Sequence, residues 1–253
     1  MPPEPSRILT GCTGRRSRTD PHPTCSNVAG RSPIPLLVTI QTLGPFGTNC
    51  YVVGGACGDE AIVIDPGDDP AAIRGMLVER GLRCVAILVT HGHIDHVGAV
   101  GPLAQADSIP VYISHGEAVS LSSRSLHEAQ AYGFAHFATH EPEHLLVGGE
   151  RLELAGLEID VLPTPGHSAA SVSFLITGPE GDQLIASGDV LFAGSVGRTD
   201  LEGGDWATLE RSLLRLYEAF PPDVLVLPGH GAPTTLADEA RTNPYLDAVR
   251  AAR

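Results

Sequence analysis

Four side chains of the kinds that bind metal ions stand within six residues of this sequence, at His91, His93, Asp95 and His96. They follow directly on the apolar run 85–89, which is typical of a buried strand. Residues two apart share a face in an extended segment but not on a helix. We therefore expect the first three to point to one side at a strand end. A turn at Asp95 would then bring His96 to a second metal ion.

Three further candidate ligands stand alone later in the chain, each at or just after the end of a predicted strand: His167, Asp189 and His230. A glycine precedes each of them, which allows close backbone approach or a positive φ where the chain turns sharply into a site. Singly, each of the three could be an ordinary structural residue, and a histidine-rich surface loop is the alternative for the first group. Together they indicate a metal centre. Imidazole and carboxylate suit zinc, iron or manganese, and the lack of thiolates argues against a closed structural zinc site.

The composition excludes several classes of protein. The formal net charge is −14 with no basic stripe, so we expect no nucleic-acid partner. All 16 basic residues are arginine, which excludes a Schiff-base, phosphate-loop or Ser-x-x-Lys lysine. The five cysteines form no Cys-x-x-Cys pair, which favours a reduced, cytoplasmic setting. No apolar run reaches the roughly 18 residues that span a bilayer, so we expect no membrane association.

The chain divides into an N-terminal extension and one domain. Residues 1–33 are rich in proline and arginine without hydrophobic periodicity, which predicts disorder. Over residues 34–253, short β-branched runs mixed with helical patterns predict two sheets covered by helices. Strands are predicted over 35–42, 49–54, 61–65, 84–90, 110–114, 157–162, 171–177, 183–187 and 224–227.

Helices are predicted over 69–80, 96–106, 116–131 and 205–219. Asp205 is the expected N-cap of the last. The apolar residues of that helix recur at helical spacing and predict a stripe facing the core: Trp206, Leu209, Leu213, Leu216, Tyr217 and Phe220.

The run Thr90–His96 reads Thr-His-x-His-x-Asp-His. With the three later ligands, it resembles the signature of the metallo-β-lactamase superfamily over about residues 36–245. The resemblance implies an α+β fold, a four-layer αββα sandwich with two divalent metal ions at the open edge between the sheets. Zinc is the expected metal, with iron and manganese as alternatives.

The resemblance also implies a division of the ligands. His91, His93 and His167 would bind the first metal ion. Asp95, His96 and His230 would bind the second, and Asp189 would bridge the two.

Within the superfamily, residues 187–200 and 228–235 resemble the glyoxalase II group, thioester hydrolases that act on hydroxyacyl-glutathione. The match is to short members without the appended helical domain that supplies much of the glutathione site, so the thiol carrier stays open. The expected partner is thus a small-molecule thioester. A homo-oligomer is compatible with the sequence.

Two metal ions sharing a bridging oxygen lower the pKa of bound water from about 15.7 toward about 7, which supplies a metal-bridging hydroxide without a side-chain base. Asp95 and Asp189 are catalytic candidates as ligands of these ions. A thioester suits the site because its thiolate leaves with a pKa of about 8.5. Arg198 is expected on a loop near the metals, where it could bind a substrate carboxylate. A salt bridge from Arg198 to Asp200 or Asp205 is the alternative.

Other activities on the same fold compete with this interpretation. A mononuclear iron persulfide dioxygenase resembles the chain at 197–200 and 203–205 and would use one iron at the first-metal ligands. Residues 228–231 look more like the hydrolase branch. A lactonase is a further alternative, and the acidic core disfavours a nuclease. A non-catalytic metal-binding protein is disfavoured because no ligand of the signature is missing.

Overall fold

The computed structural model describes residues 36–56 and 58–246, and the extension predicted to be disordered lies outside them. The described chain contains two six-stranded sheets. The first takes its strands in chain order: β1 Leu36–Leu43, β2 Thr48–Gly55, β3 Glu60–Ile64, β4 Arg83–Val89, β5 Val111–Ser114 and β6 His144–Leu146. The second has the order β14-β13-β10-β9-β8-β7. Its strands are β7 Arg151–Leu154, β8 Leu157–Pro163, β9 Val172–Thr177, β10 Gln183–Gly188, β13 Leu225–Pro228 and β14 Thr234–Thr235.

A small hairpin and several helices complete the fold. The hairpin pairs β11 Leu191–Phe192 with β12 Ser195–Val196. The helices are α1 Pro70–Arg80, α2 Ile94–Val97, α3 Val100–Asp107, α4 Val119–Ser122, α5 Leu126–Ala131, α6 Trp206–Ala219 and α7 Leu236–Thr242, followed by a 3₁₀ turn over Pro244–Leu246. None of the helices in the described ranges has the length and apolar character needed to cross a membrane.

Three hydrophobic clusters hold four layers together. Because side chains alternate along a strand, Ala86 and Leu88 of β4 face the second sheet, whereas Ile87 and Val89 pack toward α1 and α3. On the second sheet, Ile185 and its neighbours pack against α6. The order helix, sheet, sheet, helix confirms the predicted α+β class and the four-layer αββα sandwich.

Strand direction places the ends of several strands at one edge. In the first sheet β3, β4 and β5 run parallel. In the second sheet β10 is parallel to β13 and antiparallel to β9, which is antiparallel to β8. The carboxyl ends of β8, β10 and β13 therefore meet at one edge. The segments that follow them carry the three isolated candidate ligands.

The predicted helix over 96–106 is wrong as a continuous element. Gly98 and Ala99 separate α2 from α3, because the backbone of Pro66 and Gly67 packs against them. The Ala99 N–H donates to the Pro66 carbonyl at 2.9 Å instead of continuing the helix. Similarly, 116–131 forms two short helices, since Ser125 and Glu128 make a capping box that starts α5 anew.

Helix α6 agrees with its prediction at both its start and its inner face. The Asp205 side chain accepts a hydrogen bond from the Thr208 N–H at 2.8 Å. Leu209, Leu213, Leu216 and Tyr217 are buried as predicted. Phe220 is half-buried and packs against the same cluster. Trp206 departs from the prediction, with 41% of its surface exposed, because it lies in the first turn beside Tyr245.

Candidate metal centre

The junction between β4 and α2 presents two pairs of candidate ligands in two directions. His91 Nε2 lies 3.0 Å from His93 Nδ1. The prediction that Asp95 points to the same side in an extended segment is wrong, because the chain enters α2 at Ile94. Asp95 Oδ2 instead lies 3.2 Å from His230 Nε2. One helical turn thus separates the motif into two sets.

Three groups of side chains have the geometry to hold a metal ion, because the potential ligand atoms within each group lie within 4.8 Å of one another. The first cluster is His91, His93 and His167, and the second cluster is Asp95, His96 and His230. The third group, His91, His96 and Asp189, lies between them. The structure brings together all seven side chains singled out in the sequence, in the sets that the resemblance implies. Metal binding itself stays a prediction.

Asp189 lies between the two clusters and contacts histidines of both. Its Oδ1 lies 3.3 Å from His96 Nε2. Its Oδ2 lies 3.5 Å from His167 Nε2 and 3.5 Å from His230 Nε2. A carboxylate in this position could contact two metal ions at once.

The donor atoms of the centre fit a divalent metal. His96 Nε2 and Asp189 Oδ1 are buried, and neither makes a hydrogen bond within the described residues. Leaving a buried polar atom unpaired costs about 1–3 kcal/mol, which a shared ligand would offset. Neutral imidazoles and carboxylates are the ligands that zinc, iron and manganese accept.

The two clusters differ in their electrostatics. In the first, burial lowers the pKa of His91 well below its usual value, and it lowers the pKa of His93 to about 4. These rings are therefore neutral at pH 7, which is the form that binds a metal ion.

In the second cluster, burial opposes the charged forms, but the neighbouring carboxylates outweigh it. The charge of Asp189, with those of Asp65 and Asp95, raises the pKa of His96 well above its usual value. Hydrogen bonds to Asp189 and Asp95 raise the pKa of His230 to about 9. This side of the centre therefore favours a positive charge.

Asp65 was missed by sequence reasoning although it holds a ligand in place. It follows β3 with φ of 50°. Its carboxylate accepts hydrogen bonds from the Thr90 N–H at 2.8 Å and Thr90 Oγ1 at 2.7 Å, and it lies 3.0 Å from His96 Nδ1. Occupying Nδ1 leaves His96 Nε2 directed into the centre. The available signal was an acidic residue at the carboxyl end of an apolar strand parallel to β4.

Hydrogen bonds also hold two of the other candidate ligands in place. His167 Nδ1 lies 2.8 Å from the Arg198 carbonyl oxygen, which leaves Nε2 for the centre. Thr48 Oγ1 donates to Asp95 Oδ2 at 2.7 Å. Such partners fix the orientation of metal ligands.

Two side chains of β2 hold the loop that carries His230. Asn49 Nδ2 donates to the carbonyls of Pro228 at 3.0 Å and Gly231 at 2.8 Å. The Tyr51 hydroxyl donates to the Pro228 carbonyl at 2.6 Å. These bonds connect the first sheet to the second, and nothing in the local sequence pattern indicated them.

Glycines beside the ligands permit the expected close approach. A Cβ at Gly229 would collide with Asp189 Oδ1 and lie 2.7 Å from His96 Cε1. Gly188 has φ of 50°, a region that favours glycine.

Arg198 lies on the loop after β12 but its guanidinium is engaged. Its Nε and Nη2 each donate to the carboxylate of Asp200 at 2.7 Å. This hydrogen-bonded pair lowers the pKa of Asp200 to about 2. The structure thus has the salt bridge that the sequence offered as an alternative. A role of Arg198 in substrate binding stays a prediction.

Aromatic side chains lie beside the loop that approaches His230, where the carbonyl oxygen of Gly47, next to Phe46, lies 3.4 Å from His230 Nδ1. The Phe46 ring packs edge-on against Tyr132, and both are about half exposed. Phe134, the other aromatic residue of that segment, is buried and belongs to the core. The Phe192 ring lies 5.9 Å from that of His230.

The model of the metallo-beta-lactamase superfamily matches residues 43–230. A probable metallo-hydrolase, YqgX of Bacillus subtilis, is 36% identical over 205 residues, covering 81% of this chain and 95% of YqgX. The hydroxyacylglutathione hydrolase GloC of Haemophilus influenzae is 33% identical over 214 residues, covering 83% of this chain and 98% of GloC.

Among solved structures, TTHA1623 in a di-iron-bound form is similar, with a TM-score of 0.69 and 43% identity. The match covers 82% of this chain and 99% of TTHA1623. The family model extends over most strands of both sheets and over all seven candidate ligands. The chain therefore belongs to the metallo-beta-lactamase superfamily, as a metallo-hydrolase.

Proposed function

We propose that the protein is a binuclear metal-dependent hydrolase that cleaves thioesters of the hydroxyacylglutathione type. The observation that carries the proposal is the position of Asp189 between the clusters. Its Oδ2 lies 3.5 Å from His167 Nε2 of the first cluster and 3.5 Å from His230 Nε2 of the second, and its Oδ1 lies 3.3 Å from His96 Nε2. A protein that needed one metal ion at three histidines would not require a second complete set of ligands beside it.

When two metal ions are bound, they supply hydroxide at neutral pH. The chain's own residues hold and orient the ligands for this purpose. Asp65 fixes His96 through Nδ1, and the Arg198 carbonyl fixes His167 in the same way. A thioester needs no strong acid from the protein because its thiolate is a good leaving group at pH 7.

The relatives support the substrate class and the metal count. GloC is named a hydroxyacylglutathione hydrolase, and TTHA1623 binds two irons. Zinc is the proposed metal, and the di-iron relative makes iron the foremost alternative. The exposed aromatic rings of Phe46 and Tyr132 offer an apolar surface for part of a small substrate. We infer a small-molecule partner and no nucleic acid, given the net charge of −14.

The test combines metal analysis with two reactions. Purified protein is analysed for metal content, and then assayed for hydrolysis of S-lactoylglutathione and for oxygen uptake with glutathione persulfide. Two metal ions per chain with thioester cleavage are the expected result. One iron per chain with oxygen consumption would overturn the proposal in favour of a persulfide dioxygenase.

A further inference from the structure

A buried glutamate outside the ligand set joins two of the loops that carry the first cluster. Glu117 lies in the turn between β5 and α4 and is 9% exposed. Its Oε2 accepts a hydrogen bond at 3.1 Å from the N–H of Gly92, the residue between the two histidines of the β4 motif. Its Oε1 accepts from Ser168 Oγ at 2.7 Å and from the Ala170 N–H at 3.0 Å, beside the third histidine. One carboxylate therefore spans both loops.

The chemistry of the site requires a carboxylate. All three groups that face Glu117 donate hydrogen bonds, and a carboxylate accepts through both oxygens. A glutamine would direct its NH₂ group at one of these donors. No arginine or histidine within the described ranges forms an ion pair with Glu117, although a buried charge is costly without compensation. A cation bound at the first cluster would provide that compensation.

The peptide of Gly92 is also held from its other side. Arg124 Nη2 donates to the Gly92 carbonyl at 3.3 Å. A Cβ at Gly92 would meet the Ser120 side chain, so the loop lies directly against α4. The segment from Glu117 to Arg124 thus contacts the backbone between His91 and His93 from both sides of the Gly92 peptide.

We propose that Glu117 is a positioning residue that sets the first cluster for metal binding by fixing the spacing between the Gly92 loop and the Ser168 loop. This inference rests on the proposed metal centre. Glu117 would raise the affinity for one metal ion without contacting that ion, as residues that hold metal ligands in place commonly do.

The test compares Glu117→Gln with Glu239→Gln. Glu239 is a matched control, because it is 3% exposed and also accepts three hydrogen bonds, from Gly194 N, Thr234 Oγ1 and Asn243 Nδ2. Metal-free protein is titrated with Zn²⁺ against a chromophoric chelator, and Co²⁺ absorption reports the ligand geometry. Glu117→Gln should bind one ion as the wild type does and the other about 10–100-fold more weakly. Glu239→Gln should lose thermal stability but bind both ions normally.

Two outcomes overturn the inference. Either Glu117→Gln binds both ions with wild-type affinity, or Glu239→Gln weakens binding to the same extent. If Glu117→Gln does not fold, Ser168→Ala removes one of its three donors and should weaken the same ion several-fold, and unchanged affinity would be decisive against the inference. A wild-type protein that binds a single ion would refute the binuclear function instead, while Glu117→Gln should still weaken that ion.

Discussion

The two sheets contribute to the metal centre in different ways. The first supplies four of the seven candidate ligands from one short stretch after β4. The second supplies three that follow separate strands: His167, Asp189 and His230. Covalent geometry largely sets the spacing of the first four, whereas the alignment of β8, β10 and β13 sets the spacing of the others. Half of the centre is thus encoded locally, and the other half exists only in the packed fold.

The largest loss is expected from Asp189→Ala, which removes the side chain that reaches both clusters. Activity on S-lactoylglutathione should fall by more than the roughly 10–100-fold typical of partners beyond the ligands. Circular dichroism should show an unchanged fold, and metal analysis should show fewer ions bound. A rate equal to that of the wild type would remove the bridging role.

The next largest effect is expected from a methyl group added beside the ligands that the second sheet supplies. In Gly229→Ala the new Cβ would push against the Asp189 carboxylate and the His96 ring. We expect Zn²⁺ affinity to fall about 10–100-fold. Gly231→Ala is the control in the same loop, since its added Cβ has no atom within 4 Å while its φ of 78° strains alanine. It should lose about 1–2 kcal/mol of stability but keep its metal affinity. If both variants bind Zn²⁺ equally weakly, the collision with Asp189 and His96 is not the cause.

The bonds between the sheets allow a finer test. Asn49→Ala leaves the Gly231 carbonyl without its side-chain donor and the Pro228 carbonyl with the Tyr51 hydroxyl alone, which should cost about 1–3 kcal/mol in urea unfolding. Metal affinity should fall at the second cluster and stay constant at the first. Thr39→Val is the control on the same sheet, because Thr39 Oγ1 is buried without a hydrogen bond to any described residue. It should be neutral or stabilising. If Asn49→Ala weakens metal binding at both clusters, the two sheets do not position their ligands independently.

The smallest effect is expected from Arg198→Ala. An exposed ion pair such as Arg198–Asp200 contributes about 0–1 kcal/mol, so the melting temperature should hardly change. If Arg198 binds the substrate carboxylate, KM should rise several-fold with kcat unchanged. Asp200→Ala, which releases the guanidinium, should not raise KM. An unchanged KM in Arg198→Ala would leave Arg198 with the role of holding its loop.

The sequence predicts those parts of the fold that depend only on neighbouring residues. The strand before His91, the cap at Asp205 and the apolar face of α6 follow from periodicity and capping rules. The break between α2 and α3 does not, because it arises from contact of Gly98 with the distant backbone of Gly67.

The same distinction applies to the centre. Residue types and spacing predict the candidate ligands, but they do not predict the residues that position them. Asp65 contacts Thr90 across 25 positions, and Glu117 contacts Ser168 across 51. No periodicity links such partners, since their proximity depends on which strands pair and how the sheets pack. The error at Asp95 has a local cause instead, because α2 begins at Ile94, two residues before the predicted helix start, and turns the Asp95 side chain away from His91 and His93.

The hydrogen bonds from Asn49 and Tyr51 to Pro228 cross the seam between the sheets, close to the second cluster. A metal ion held between the sheets would bind only when the sheets are packed together, so it would stabilise the native state by mass action. Each tenfold rise in free metal above the dissociation constant adds about 1.4 kcal/mol. Resistance to heat would then follow the supply of metal around the protein. A chelator would act as a denaturant without touching the hydrophobic core.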